Sequence, residues 1–195
     1  MNRRSCVSLF AVAVLVSGCL VPEKFAAKAT FQPDGSYTFS YAGTVVHGMA
    51  ALELAKTGKL AAKDEASLER EVPKMARNPD VREVSYKGNG RYVLALDAKR
   101  TKGQALDLLG IMTVRTAKDG VVTISSPEIN EKSKKDLSQL GIKVDGTLEV
   151  TLPKDAVVIS QNATGKPGFF GLSSSYSWKI GSVEQRPMMT FRFKQ

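Results

Sequence analysis

One histidine and two cysteines carry most of the nucleophilic, acid–base and metal-binding potential of this sequence. His47 stands alone before Gly48, with no nucleophile or orienting acid at a spacing that would make it a general base. Metal sites gather several His, Cys or carboxylate groups at set intervals, and the sequence contains no such set and no aspartate-rich calcium loop. Gly165-Lys166-Pro167-Gly168 lacks the ending of a phosphate loop, and Gly88-Asn89-Gly90 reads as a hairpin turn rather than a dinucleotide fingerprint. Asn162-Ala163-Thr164 matches a glycosylation triplet, which three residues often do by chance. The expectation is a non-enzymatic protein without catalytic residues, metal or cofactor. The cysteines remain, and Cys19 has the informative surroundings.

The chain opens Met1-Asn2-Arg3-Arg4, followed by a run from Val7 to Val16 that is apolar except for Ser8, then Ser17, Gly18 and Cys19. Such a run is too short to cross a hydrocarbon core, which needs about twenty residues. A charged start, a short apolar stretch and small residues before a cut form a secretory signal. Leu15-Val16-Ser17-Gly18-Cys19 resembles the bacterial lipobox, in which the cysteine thiol takes a diacylglyceryl group before cleavage. Residues 1–18 are thus expected to be a lipoprotein signal peptide, and Cys19 the lipidated first residue of the mature chain. Two acyl chains hold stably to a membrane where one does not. The expected location is the bacterial cell envelope, lipid-anchored and facing the periplasm or the exterior. Leu20, where a sorting aspartate would stand, favours the outer membrane in a host with two.

Removing 18 of 195 residues leaves 177, enough for one domain with a real core. Arg3 and Arg4 leave with the signal, which lowers the net charge from +9 to +7. The lysines are scattered, so the charge reads as solvated faces near an anionic envelope rather than as a nucleic-acid footprint. Cys6 is removed and Cys19 modified, so the domain has no disulfide and must be held by packing.

The elements that fill this domain are read from periodicity. Residues 19–28 are expected to be the lipidated cysteine and a tether, and 29–195 a single domain. Tyr37, Phe39 and Tyr41 alternate with Thr38 and Ser40, and Asp34-Gly35 offers a turn that pairs Ala29–Phe31 with Tyr37–Val46. Val84–Tyr86 and Tyr92–Leu96 flank Gly88-Asn89-Gly90 as a second hairpin, and Met112–Val114 with Val122–Ile124 make a third. Leu148, Val150 and Leu152 form the cleanest strand, with Val157–Ile159 expected alongside it. Tyr176–Ile180 and Met189–Phe193 are expected to close the chain as a pair. Helices are expected from Gly48 to Lys56, from an Asp64 cap with Leu68, Val72 and Met75 on one face and a break at Pro73 near Glu71, from Thr101 to Leu109, and from Asn130 to Leu140 ahead of Gly141. The fold class that follows is α+β, a curved, mostly antiparallel sheet packed against one or two helices.

Phe169 and Phe170, set between Gly168 and Gly171, put bulky apolar groups on a loop where polar residues are the rule. They are read either as a plug for one end of the sheet or as a lid that touches lipid. The run Gly146–Pro153, Asn162-Ala163 and Tyr176-Ser177-Trp178 resembles the C-terminal half of LppM-like bacterial lipoprotein domains, and Tyr86 with Gly88-Asn89-Gly90 extends the likeness. The resemblance implies an α+β fold akin to lipid-transfer domains and a lipid or glycolipid ligand. Many members also carry a C-terminal transmembrane helix, for which no apolar stretch stands before Gln195.

The expected function is a membrane-anchored envelope lipoprotein that binds a lipid or other apolar ligand between the curved sheet and a helix. Tyr37, Phe39, Tyr41, Phe169, Phe170, Trp178, Phe191 and Phe193 are the candidate ligand-binding residues, each with core packing as its alternative role. The alternative function is a protein–protein interaction module of an envelope assembly.

Overall fold

The computed structural model describes residues 20–108, 112–126, 128, 130–168 and 175–194. In chain order these form β1 (Leu20–Phe31), β2 (Tyr37–His47), α1 (Gly48–Thr57), α2 (Ala62–Glu69), α3 (Val72–Met75), β3 (Val81–Tyr86), β4 (Arg91–Arg100), β5 (Leu106–Leu108), β6 (Met112–Thr116), β7 (Val122–Ser125), α4 (Glu131–Gln139), β8 (Asp145–Thr151), β9 (Ala156–Gln161), β10 (Ser175–Ile180) and β11 (Met188–Phe193). The fold is α+β. One sheet runs β10-β8-β1-β2-β4-β3 and a second runs β5-β6-β7-β11-β9. Every pairing is antiparallel except that of β1 with β8.

Alternation along the strands decides which side chains fill the space between the sheets. Phe31, Tyr37, Phe39, Tyr41, Leu148, Val150 and Trp178 from the first sheet are buried in one cluster with Leu106, Met112, Val114, Ile124, Met189 and Phe191 from the second. Phe31 joins the layers, stacking on Tyr37 at 4.8 Å and meeting Phe191 edge-on at 4.9 Å. Edge-on and offset contacts of this kind suit the ring quadrupoles. A smaller cluster of Val46, Ala51 and Ile142, with Leu137 and Leu140 against it, packs α1 and α4 together near the end of β2.

The three hairpins form as the alternation predicts, the helix break falls at Glu71 ahead of Pro73, and Gly141 ends α4 with φ +66°. Other elements depart from the sequence reading. The segment 20–28, expected as a tether, is the first three quarters of β1. Its pairing with β2 begins at Leu20 opposite His47, and Arg91 holds Glu23 through Nη2 at 2.9 Å and Nε at 3.0 Å. A register shift between Pro22 and Phe25 breaks the alternation there, which hides the strand from a period-two reading. The shift turns Phe25 over Gly146 and brings its ring to 5.6 Å from Tyr41. Gly43 must be glycine at this crossing, since a Cβ would strike the Lys24 carbonyl and Phe25 Cβ.

The expected helix over Thr101–Leu109 is instead a turn, closed by Gln104 N–H on the Thr101 carbonyl at 3.0 Å, followed by β5. Val157–Ile159 does not return beside Leu148, because β9 pairs with β11 in the second sheet. Nor do Tyr176–Ile180 and Met189–Phe193 pair with each other: β10 adds to β8, and β11 lies between β7 and β9. Asp64 sits in the first turn of α2 rather than at its cap, which is Ala61 without a side-chain bond.

Candidate functional site

The aromatic residues singled out from sequence are drawn together, but into packing. Tyr37, Phe39, Tyr41, Trp178 and Phe191 are buried, and Phe193 is half-buried with its ring 5.6 Å from Phe191. Their polar tips are used internally: Tyr37 Oη donates to the Gln104 carbonyl at 2.8 Å, and Tyr41 Oη to that of Thr44 at 3.4 Å. Burial pushes the Tyr37 phenol up to about 12 and raises that of Tyr41 further. Among the described residues, a void between the sheets bounded by Phe25, Phe39, Tyr41, Leu108 and Met112 is about 10 Å³. That is near the minimum for a single water and far below the roughly 300–1,000 Å³ of a small-molecule site. The described members of the set therefore pack at the joint between the sheets. Cys19, Phe169 and Phe170 lie outside the described residues.

Asn162 locks the same joint from the edge. Its Oδ1 accepts from Trp178 Nε1 at 2.8 Å and from the Met188 N–H at 2.8 Å, while Nδ2 donates to the Arg186 carbonyl at 2.7 Å. The amide of the glycosylation triplet is thus committed to joining β10 in one sheet to the start of β11 in the other.

The roomy concavity lies elsewhere. An open groove of about 600 Å³ runs beneath the helices, lined by the apolar residues Leu20, Met49, Ala50, Leu60, Leu68, Met75 and Tyr92 and by His47, Glu53, Asp64, Ser67, Glu71 and Lys74. Tyr92 shares a strand face with Leu94 and Leu96, and it donates through Oη to the Leu68 carbonyl at 2.9 Å. Burial is the main reason its phenol is pushed up to about 12. The cover over this floor is lightly seated, since neither α2 nor α3 contributes a fully buried residue. Polar bonds pin α2 instead. Glu65 accepts from Tyr86 Oη and, at 3.0 Å, from the Asn89 N–H, and Tyr86 Oη accepts from the Gly90 N–H at 3.0 Å. Gly90, with φ +71°, lets this turn press against α1, where a Cβ would collide with that of Ala50.

His47 forms the wall between β2 and α1. Its Nδ1 accepts from the Ala50 N–H at 3.3 Å, which caps the helix, so the neutral ring is the useful one. Burial pushes its pKa below 6.5, and the charge of Glu71 opposes that shift. The only histidine in the chain is thus a capping residue in a groove wall. Among the described residues no group of three or more His, Cys, Asp or Glu could hold a metal, and no helix is long and apolar enough to cross a membrane.

The sequence places Leu68, Val72 and Met75 on one helix face, and of these Leu68 and Met75 line the groove from two separate helices. The contributions of Leu20, Met49, Leu60 and Tyr92 to the same hollow had no local signal, because strand ends and separate helices meet there only in three dimensions.

No family model and no curated protein matches the chain. Among solved structures it is similar to the folded domain of Mycobacterium tuberculosis LppM, at 17% identity and TM-score 0.43, with 89% of this chain and 91% of that one covered. Native yeast LTA4 hydrolase is also similar, at 11% identity and TM-score 0.32, over 88% of this chain and 29% of that one.

Proposed function

We propose that this protein is a non-enzymatic bacterial envelope lipoprotein, anchored through Cys19, whose domain accommodates a lipid or other acyl-chain ligand in the groove beneath α1, α2 and α3. The observation that carries the reading is an apolar-floored groove of about 600 Å³ with Leu20 among its lining residues. Its volume falls in the range of small-molecule sites. Its apolar lining of Leu20, Ala50, Leu68 and Tyr92 offers dispersion contact without a fixed pattern of donors, which suits a hydrocarbon chain. The cover rests on few buried contacts, so a ligand can enter without disturbing the core between the sheets. The lipobox supports the anchor, and an anchored domain works within reach of lipid.

The test is binding by the soluble domain, residues 20–195. A polarity-sensitive fluorophore should bind and be displaced by palmitate. Leu68→Glu should weaken binding about tenfold or more by setting a carboxylate in the apolar floor, whereas Phe193→Ser, at the inter-sheet joint, should not. Absence of displacement, or equal effects of both substitutions, would remove the groove from the reading. Labelled palmitate should enter the full chain and not Cys19→Ala, which checks the anchor separately.

A further inference from the structure

We infer that the groove is occupied by one acyl chain of the protein's own lipidated Cys19, drawn out of the bilayer. This rests on the proposed anchor and groove, and it names the occupant.

Three observations carry it. The first is reach. Leu20 lines the groove and is already paired with His47 at the first position of β1. In the chain the lipid-bearing residue directly precedes Leu20, so an acyl chain attached to it starts one residue from the groove lining. The second is charge. The charged lining residues are Glu53, Asp64, Glu71 and Lys74, and Glu71 already holds Lys74 Nζ at 2.8 Å. A phosphate-bearing lipid would meet an excess of carboxylate there. A thioether-linked diglyceride or an amide-linked acyl chain carries no charge and meets no such repulsion. The third is sufficiency of the remaining anchor. Stable membrane attachment takes two chains, so the cysteine must be N-acylated as well as diacylated for two chains to stay in the bilayer when one enters the groove. Met49, 61% exposed on α1, offers a flexible apolar side chain against which a chain can settle.

The experiment uses the full-length protein in living bacteria fed a palmitate analogue with a photoreactive diazirine and an alkyne. After irradiation, the protein is enriched through the alkyne and digested, and crosslinks are mapped by mass spectrometry. The expected product joins the Cys19 peptide to peptides containing Leu60, Leu68 or Met75. That product should fall about tenfold or more in Met75→Glu, with labelling of Cys19 itself unchanged. Crosslinks from Cys19 only to bulk lipid or to other surfaces overturn the inference. Groove peptides labelled equally in Cys19→Ser also overturn it, since the occupant is then a membrane lipid, while the groove reading survives. No groove labelling in either protein sinks both, and no label on Cys19 sinks the anchor and the inference together.

Discussion

Replacing Glu65 with alanine should release α2 while leaving both sheets intact. An isolated helix of eight residues is far below the length that holds itself in water, and α2 buries none of its side chains fully. Leu68 packs partly buried against the core, and polar bonds complete the attachment: Glu65 accepts from Tyr86 Oη and from the Asn89 N–H, and the Leu68 carbonyl accepts from Tyr92 Oη. Hydrogen bonds to a charged group contribute about 1.5–3 kcal/mol each when buried, and about 1 kcal/mol each where water competes, as for a typical net bond. Losing both bonds to Glu65 should therefore cost α2 about 2 kcal/mol of local stability, roughly a thirtyfold increase in its open population. Hydrogen exchange with mass spectrometry reads this directly: peptides covering Ala62–Glu69 should exchange roughly thirtyfold faster, and those of β1, β2 and β4 at their original rate. Tyr86→Phe removes one of the two bonds and should give an intermediate effect. Unchanged exchange in α2 would refute the latch. Equal acceleration across the sheets would show that α2 is integral to the core rather than a cover on it.

Asn162→Leu should cost about 2–3 kcal/mol in urea denaturation, because the Trp178 indole and the Met188 N–H lose their shared acceptor; an unchanged midpoint would show that solvent replaces the bond freely. His47 makes stability pH-dependent. Its folded pKa lies below 6.5, so the cap on α1 is complete above that pH and is lost as the pH falls through the folded value. Between pH 7 and 5 the wild type should lose about 0.5–2 kcal/mol that His47→Asn, an uncharged cap, retains; parallel pH profiles of the two proteins would refute this.

Much of the local structure was legible because it depends on near neighbours. Turn glycines and period-two alternation define the hairpins, and Pro73 and Gly141 end helical runs for steric reasons that operate within a few residues. Partner choice between distant strands was not legible. Alternation says which face of β9, β10 and β11 is apolar, and all three would satisfy it equally well in either sheet. The parallel pair of β1 and β8 joins residues such as Ala29 and Val150, and nothing in either segment names the other. The strand beginning at Leu20 was lost to its own bulge, where Pro22 and the displaced Phe25 destroy the alternation. For the candidate site, the aromatic residues announced a core without saying whether it was filled. The groove is a space left between helices and a strand end, and its shape has no counterpart in a linear pattern.

The early start of β1 also sets how the domain would bear load. If Cys19 carries the proposed lipid, load between the membrane and the end of the domain remote from Leu20 enters at the start of β1. That strand is interior to its sheet, bonded to β2 on one side and to β8 on the other. Force along it acts in shear, straining both ladders at once, where an edge strand would peel one bond after another. Extraction of the lipid from the bilayer and rupture of the sheet thus become competing events.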